Sequence, residues 1–165
     1  MKKIIIVAAA IIVSLHISGL TVEAATSRDK QTISEERLIT YTEEIGQQYN
    51  ICPELLQAIA ERESSLRIYA TNGTCKGLMQ ISEKWHRDRM ERLDVTNIYD
   101  AYGNILLAAD YLAEIAKENG DLYYVLMRYN MKKSTADKLY EAGEYTDYAV
   151  EIAERAAELE RLHGK

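Results

Sequence analysis

The apolar residues of this chain follow a helical spacing almost throughout, and this pattern limits the fold more than any other feature. From Thr32 onward they recur at intervals of three and four residues, most clearly over 101–117, and no segment alternates convincingly with the two-residue period of a strand. A 47% hydrophobic fraction with 28% charged residues is typical of a globular domain, and 165 residues suit one domain rather than two. The sequence predicts an all-α, mainly helical domain, with a loop over 66–77 that has room for a small β-hairpin.

The segment that precedes the helices is polar. We predict a flexible lead-in over 25–35 and the folded domain over 36–165. The pattern Thr32-x-x-Glu35 matches a capping box, which indicates that the first helix begins near it. Pro53 indicates the start of the next helix, because the first helical position tolerates its missing N–H.

The N-terminus has the features of a secretory leader. Two lysines precede an uncharged apolar stretch over 4–15, and the segment ends in Val22-Glu23-Ala24, which suits cleavage after Ala24. The sequence therefore predicts a signal peptide over 1–24 and a protein secreted into the extracellular cell-wall space. An uncleaved membrane anchor is the alternative, since residues 4–22 are just long enough to span a bilayer.

Charge and cysteine content exclude several classes of protein. A net charge of −6 argues against a nucleic-acid binder with a basic face. Two cysteines cannot form a four-cysteine zinc site, and His86 and His163 have no metal-ligand spacing, so we predict no metal and no cofactor. In an exported protein Cys52 and Cys75 are candidates for a disulfide, with two buried thiols as the alternative.

One acidic residue lies on the apolar side of its helix. At about 100° per residue, Glu63 falls within about 20° of Leu56, between Ile59 and Ala60. Burial of a carboxylate raises its pKa, which suits a general acid working near neutral pH. The alternative is that Glu63 emerges beyond the apolar stripe and is solvated. Periodicity alone does not separate these two interpretations.

Four blocks of sequence, in order, carry a resemblance to a known family. Over about 40–150 the chain resembles the soluble lytic transglycosylases, a family with a lysozyme-like fold that cleaves peptidoglycan. The blocks are residues 51–60 leading into Glu63-Ser64-Ser65, then Gly77-Leu78-Met79-Gln80-Ile81, then Asn104-Ile105 with Ala109 and Tyr111-Leu112, then Tyr129-Asn130, with Tyr148-Ala149 resembling the closing Tyr of the family.

The resemblance implies that Glu63 is the catalytic residue. It would protonate the glycosidic oxygen between N-acetylmuramic acid and N-acetylglucosamine, and then act as base on the muramic 6-hydroxyl. Ring closure gives a 1,6-anhydro end without water, so the pair of carboxylates that ordinary glycosidases use is not required. Glu61, Glu83, Asp94 and Asp100 carry no family signature and are interpreted as surface acids.

The resemblance also implies a set of substrate-binding residues. The Gln80 amide suits sugar hydroxyls and acetamides, and its alternative is a structural amide bonded to loop backbone. Tyr129 matches a Tyr that faces the acid, and its alternative is a half-buried core residue. The other residues assigned to this set are Ser64, Met79, Asn130 and Thr71, although Ser64 is expected to support the helix end and Met79 to pack.

One departure from the family pattern follows Tyr129-Asn130. Relatives continue with Ala-Gly, whereas this chain has Met131-Lys132-Lys133. These cations either meet carboxylates of the wall peptides or face solvent.

The expected function is that of a secreted peptidoglycan lytic transglycosylase. The alternatives are a hydrolytic muramidase of the goose-lysozyme kind and a non-catalytic cell-wall-binding or assembly module. The expected partners are peptidoglycan glycan strands, with a secretion or conjugation apparatus as a further candidate and no nucleic acid. We expect a monomer.

Overall fold

A computed structural model describes residues 30–165 of the chain, and this part is built mainly from helices. Within it there are seven α-helices, and the second of them carries Glu63. They are α1 (Glu35–Tyr49), α2 (Pro53–Ser64), α3 (Glu83–Arg92), α4 (Ala101–Glu118), α5 (Leu122–Asn130), α6 (Lys133–Glu141) and α7 (Asp147–Leu162). The prediction of an all-α, mainly helical domain is confirmed.

A small antiparallel sheet follows α2. Its three strands are β1 (Thr71–Asn72), β2 (Cys75–Lys76) and β3 (Ile81–Ser82), in the order β1-β2-β3. Gly73 and Thr74 form the turn between β1 and β2, and Gly73 has a positive φ of 59°, as the first central position of a type II′ hairpin turn requires. The predicted hairpin is therefore present, and β3 extends it to a third strand.

The core lies between α2 and the helices around it. Helix α2 packs against α1 on one side and α7 on another, while α7 also packs against α5. Leu56 and Ile59 of α2 meet Ile45, Leu126 and Ile152 in a single apolar cluster, and all five side chains are buried. This packing holds both ends of α2 in fixed positions, which matters because Glu63 lies at one of them.

The predicted lead-in over 25–35 is wrong for its last residues. Thr32 forms an isolated β-bridge with Arg67, the Ile33 N–H donates to the Leu66 carbonyl at 3.0 Å, and the Ile33 side chain is 4% exposed. The burial of an apolar side chain, together with backbone pairing, ties this segment to the turn after α2. Residues 1–29, including the predicted signal peptide and cleavage site, lie outside the described part.

The first helix is capped by a different residue from the one predicted. Because the bridge to Arg67 takes Thr32 away from the helix, Ser34 is the N-cap of α1, and its side chain accepts a hydrogen bond from the Arg37 N–H. The capping-box interpretation of Thr32 and Glu35 is therefore wrong. Among residues 30–165 there is no helix long and apolar enough to cross a membrane.

The candidate disulfide is also not formed, since Cys52 and Cys75 are both free. Cys52 is the N-cap of α2, whose 12 residues span about 18 Å. Cys75 lies on β2, which the chain reaches only after leaving the far end of α2. The Cys52 Sγ instead contacts the carboxylates of Glu54 at 3.2 Å and Glu160 at 3.1 Å.

Candidate active site

Glu63 is positioned by the way α2 ends. The Ser64 hydroxyl donates back to the Ala60 carbonyl at 3.0 Å and is buried, as expected for a residue that supports the helix end. Ser65 and Leu66 then adopt left-handed conformations with φ of 52° and 63°. Two such residues in succession turn the chain sharply away. Glu63 is thus left half-buried in the last turn of α2.

The carboxyl of Glu63 meets the hydroxyl of a distant tyrosine. The Tyr148 hydroxyl donates to Glu63 Oε1 at 2.5 Å. Burial raises the pKa of Glu63, and the Tyr148 hydrogen bond and the Arg62 charge offset only part of this effect. The helical pattern leaves open whether Glu63 is buried or solvated, and its environment here agrees with the first alternative.

Tyr148 belongs to the last block of sequence that resembles the family, but the sequence alone assigns it no role. It lies in the first turn of α7, behind the N-cap Thr146, and is 9% exposed. Burial and the nearby Glu63 charge raise the pKa of Tyr148 far above its usual range, so the phenol remains a donor at any physiological pH. Nothing in the periodicity distinguishes it from the other eleven tyrosines. Its position at the end of the family resemblance is the available signal.

Tyr129 also lies near the acid but bonds elsewhere. Burial raises its pKa well above the usual value, and the negative charge of Glu63 raises it further. Its hydroxyl, however, donates to the Met79 carbonyl at 2.7 Å. Tyr129 therefore lies close enough to Glu63 to be affected by its charge, while its hydroxyl holds the neighbouring loop through the Met79 carbonyl.

The segment 77–80 is held from several sides. The Met79 N–H donates to Asn104 Oδ1 at 2.7 Å, and the Asn104 Nδ2 group donates to the carbonyls of Ile98 at 2.8 Å and Lys76 at 3.2 Å. Asn104 is fully buried. It belongs to the Asn-Ile pair of the family resemblance, but its bonding to this segment could not be inferred from the sequence.

The contacts of Gln80 agree with the alternative in which its amide is bonded to loop backbone. Its Nε2 group donates to the backbone carbonyls of Gly77 at 2.9 Å and Ala70 at 3.2 Å, so the amide nitrogen binds the loop. The backbone of Gln80 is left-handed, with φ of 49°. Its Oε1 has no hydrogen-bond partner within the described part of the chain and remains able to accept one from a ligand.

Comparison with known proteins identifies the family and the fold of the chain. The family model described as "Transglycosylase SLT domain" matches residues 40–148. The chain belongs to the transglycosylase SLT domain family. Its fold is similar to the X-ray structure of an inactive mutant of the lytic transglycosylase Slt from Pseudomonas aeruginosa, with a TM-score of 0.66 at 15% sequence identity. The match covers 76% of this chain and 24% of that protein, so the present chain corresponds to about a quarter of its length. The lysozyme-like fold is thereby confirmed.

The remaining predicted residues of this SLT domain occupy different surroundings. The Met79 side chain is fully buried and packs in the core, while its backbone joins the site. Thr71 is exposed on β1, with its Oγ1 at 3.1 Å from the Tyr99 hydroxyl. Asn130 is the exposed last residue of α5. The structure thus brings Glu63, Tyr129 and the Met79 backbone together, and leaves Thr71 and Asn130 on the surface.

The structure explains part of the departure from the family pattern at Met131-Lys132-Lys133. The ammonium group of Lys133 lies 3.1 Å from the Asp137 carboxylate and 3.6 Å from that of Glu118. Lys133 is therefore engaged within the domain, whereas Lys132 is exposed.

Potential metal ligands of the SLT domain lie away from Glu63. Within residues 30–165, one group of three candidate side chains brings its ligand atoms within 4.8 Å of one another, and it consists of Cys52, Glu54 and Glu160. This group lies at the opposite end of α2. Lys165 and His163 already bond to the buried carboxylate of Glu54.

Proposed function

We propose that this SLT domain is a peptidoglycan lytic transglycosylase in which Glu63 acts first as acid and then as base. The observation that carries the proposal is the half-buried carboxyl of Glu63, with its raised pKa and its 2.5 Å hydrogen bond from Tyr148. A raised pKa keeps a fraction of the carboxyl protonated near neutral pH, as a general acid needs.

The first step is cleavage of the bond between muramic acid and the glucosamine that follows it. Protonated Glu63 gives its proton to the glycosidic oxygen as the bond from that oxygen to C1 breaks, and the glucosamine leaves as an alcohol. The positive charge that develops on the muramic ring lies beside the newly formed carboxylate. Tyr148 donates to one carboxylate oxygen, a bond that strengthens when Glu63 is ionised. The other oxygen remains free to face the sugar.

The second step closes the ring. The Glu63 carboxylate accepts the proton of the muramic 6-hydroxyl while that oxygen bonds to C1 and forms the 1,6-anhydro sugar. Glu63 ends protonated, as it began, and no water is consumed. A nucleophile held on the same ring as the reacting carbon has a large entropic advantage over a free water molecule.

Of the four other acids considered from the sequence, three are occupied elsewhere, and Asp94 is exposed just after α3. Glu61 accepts from Arg155 at 2.7 Å, Glu83 pairs with Lys76, and Asp100 caps α4 through the Gly103 N–H. Within the described residues, none of these shares a hydrogen bond with Glu63. Retaining and inverting glycosidases need a second carboxyl group across the bond. The arrangement therefore favours the intramolecular 6-hydroxyl over an activated water.

The setting of the reaction is part of the same proposal. The leader-like sequence over 1–24 supports export to the cell-wall space, and the substrate is the glycan strand of peptidoglycan. A monomer suffices, because Glu63, Tyr148 and Tyr129 all come from one chain. A secretion or conjugation apparatus remains the candidate partner that would deliver the enzyme to the wall.

The test compares Glu63→Gln with wild type on purified cell walls, with products identified by mass spectrometry. We expect anhydro-muropeptides from wild type and at least a hundredfold loss of product from the variant, about the contribution of a general acid. Glu61→Gln is the matched control, since Glu61 lies in the same helix but bonds to Arg155. Reducing ends instead of anhydro ends would establish the hydrolytic muramidase. Equal clearing by Glu63→Gln would show that Glu63 is not the catalytic residue, and no clearing by wild type would leave only the non-catalytic wall-binding module.

A further inference from the structure

The segment 31–33, which we call the strap, runs beside the turn that follows α2. Two backbone hydrogen bonds join the strap to this turn. The Ile33 N–H donates to the Leu66 carbonyl at 3.0 Å, and the Ile68 N–H donates to the Gln31 carbonyl at 2.9 Å. The strap therefore pairs with the turn as a short antiparallel strand does.

The turn needs such support because its backbone is strained. Ser65 and Leu66 both have left-handed conformations, which are unfavourable for residues with a side chain and persist only where the surrounding structure holds them. On the helix side, the Ser65 N–H donates to the Glu61 carbonyl at 2.9 Å, and the Arg67 Nε group donates to the Ser64 carbonyl at 2.9 Å. On the other side the strap supplies the partners, for the Leu66 carbonyl and for the amide two residues later.

The strap is itself fixed in the core through one side chain. Ile33 is 4% exposed and belongs to the apolar core cluster, whereas Gln31 and Thr32 are exposed. The next residue, Ser34, is the N-cap of α1, which packs against α2. Burial of one side chain thus fixes the place of the strap, and its backbone pairs with the turn.

Both sides of the candidate active site are connected to this turn. Glu63 lies in the last turn of α2, directly before it. Beyond the turn, the Ala70 carbonyl accepts from the Gly77 N–H at 2.9 Å and from the Gln80 Nε2 group at 3.2 Å. The turn therefore links the helix that carries the acid to the loop whose backbone accepts the Tyr129 hydroxyl.

We propose that the strap is a positioning element for Glu63, which it holds in place by pairing with the turn after α2. The proposal rests on the proposed function for the role of Glu63. The strap acts through the turn and is not a catalytic group. It lies outside residues 40–148, which the family model matches, so the family resemblance does not imply this role.

A looser turn has a measurable effect on the pKa of Glu63. Burial is the main cause that raises this pKa, so a carboxyl that moves toward water titrates at a lower pH. The other groups that act on it are Tyr148 of α7 and Arg62 of α2, and its own charge acts on Tyr129 of α5. None of these belongs to the strap. A lower pKa on loss of the strap would therefore indicate movement of the carboxyl rather than removal of a charge.

The first test removes a donor of the strap. Ile33→Pro lacks the N–H that donates to Leu66. Leu159→Ala is the matched control, since Leu159 is 7% exposed and lies in the last turn of α7, next to the residue that contacts the start of α2. NMR titration of the carboxyl groups measures the pKa of Glu63 at a temperature at which circular dichroism shows all three proteins to be folded. We expect this pKa to fall toward its ordinary value in Ile33→Pro and to stay as in wild type in Leu159→Ala.

Activity on soluble glycan strands gives a second measurement. Ile33→Pro should lower kcat about tenfold or more and leave KM almost unchanged, because the orientation of the acid is lost and sugar binding is not. The high-pH limb of kcat/KM should move to lower pH with the pKa of Glu63. Leu159→Ala should keep both. An unaltered kcat and pKa in Ile33→Pro, or equal changes in Ile33→Pro and Leu159→Ala, would overturn the proposal.

A disulfide in place of the lost hydrogen bond separates positioning from folding. Thr32 and Arg67 are directly opposite each other in the bridge, and such a non-hydrogen-bonded pair has Cα atoms about 4.5 Å apart, which a disulfide spans. Thr32→Cys, Arg67→Cys is added to Ile33→Pro, with both native cysteines changed to serine. The oxidised form should have a several-fold higher kcat and a higher pKa of Glu63 than the same protein after reduction. Equal values in the two forms would refute the strap.

A milder variant covers the case in which Ile33→Pro does not fold. Ile33→Ala keeps the N–H but loses the buried side chain that fixes the strap, so kcat should fall several-fold and the same disulfide should restore it. A kcat of Ile33→Ala equal to that of wild type, with the pKa of Glu63 unchanged, would overturn the proposal.

The two proposals fail separately. If wild type cleaved no glycan, or if Glu63→Gln were as active as wild type, the catalytic proposal would be refuted, while a lower pKa of Glu63 in Ile33→Pro would still support the strap. Conversely, a Glu63-dependent enzyme whose Ile33→Pro variant keeps its kcat and the pKa of Glu63 would refute the strap alone.

Discussion

At the scale of single residues, the candidate site depends on two neighbouring groups, the carboxyl of Glu63 and the phenol of Tyr148, whose ionisation is disfavoured by burial. Burial raises the pKa of Glu63 and of Tyr148, and each is affected by the other. The phenol can donate only while it is protonated, and its hydrogen bond lowers the pKa of Glu63 from the value that burial alone would give. Tyr148 therefore adjusts the pH at which the acid works as well as its orientation.

Replacement of Tyr148 by Phe should separate these two effects. Without the phenol the pKa of Glu63 rises further, so the fall of activity at high pH, where a general acid is deprotonated, moves to higher pH. Loss of orientation lowers the maximum rate by about tenfold or more. The measurement is the pH dependence of kcat/KM on soluble glycan strands, with Tyr145→Phe as an exposed control. If both the high-pH limb and the maximum rate stayed in place, the hydroxyl would have neither effect and Tyr148 would serve packing alone.

The sequence predicted some of these residues for physical reasons. Glu63 could be placed on the inward side because every residue of a regular helix has a fixed angle to the others. The contact with Tyr148 could not be derived from spacing, because it joins residues 85 positions apart through the packing of α2 against α7. Gln80 was predicted to bind sugar, but its amide nitrogen bonds to the loop, since a left-handed residue in a tight segment leaves backbone carbonyls that need a donor.

At the scale of elements, the segment between β2 and β3 connects the sheet to the acid. Gly77 has a φ of 78°, and a Cβ atom there would lie 2.6 Å from the Asn104 Nδ2 atom. The close approach lets Asn104 bond to Met79 and Lys76 at once. The backbone of Met79, in turn, accepts the Tyr129 hydroxyl. The position of Tyr129 near Glu63 thus depends on a glycine fourteen residues after the acid.

Gly77→Ala should therefore be more harmful than an alanine at another left-handed glycine. Gly73 has a φ of 59°, and a Cβ atom added to it would meet no other atom within 4 Å, so Gly73→Ala carries only the conformational strain of about 1–2 kcal/mol. Gly77→Ala adds a clash with a buried amide, and we expect a loss of about 3–4 kcal/mol in the free energy of unfolding. Urea denaturation of both variants measures the difference. Equal losses would show that Asn104 can move aside without consequence.

The elements themselves were predictable to different degrees. The helices could be predicted because their periodicity and their caps, such as Asp121 and Thr146, depend only on residues close together in the chain. The hairpin turn was indicated by Asn72-Gly73 for the same reason. Strand β3 and the bridge from Thr32 to Arg67 could not, because such short pairings carry no alternation, and the bridge also joins residues far apart in the chain.

At the scale of the whole molecule, α2 and α7 run antiparallel and are joined through a carboxyl group at each end of α2. Glu63, in the last turn of α2, meets Tyr148 in the first turn of α7. Glu54, in the first turn of α2, is 1% exposed and accepts from Lys165 at 2.7 Å and from His163 at 2.9 Å, just beyond the end of α7. The pKa shifts of the two carboxyls have opposite directions, because burial dominates at Glu63, whose donor is neutral, whereas the hydrogen bonds dominate at Glu54, where one donor is cationic.

The Glu54 contact makes a prediction about stability against pH. Burial raises the pKa of Glu54, but the hydrogen bonds from Lys165, His163 and Cys52 outweigh it and lower the pKa from 4.5 to about 2. A carboxyl whose pKa is lower in the folded state stabilises the fold above its ordinary pKa, and this contribution is lost as the pH falls toward the folded value. Wild type should therefore lose stability between about pH 4 and pH 2, which urea denaturation at a series of pH values measures.

Removal of both donors should leave Glu54 buried without a cationic partner. For the double variant His163→Ala, Lys165→Ala we expect a loss of about 3 kcal/mol in the free energy of unfolding at neutral pH, and a smaller further loss on acidification. The matched control is Arg62→Ala, Glu151→Ala, which removes an ion pair between the same two helices whose side chains are more than half exposed. Such a pair contributes about 1 kcal/mol or less. If the two double variants were equally stable from neutral pH to pH 2, Glu54 would contribute no more than a surface charge, and α7 would be held on α2 by its apolar face alone.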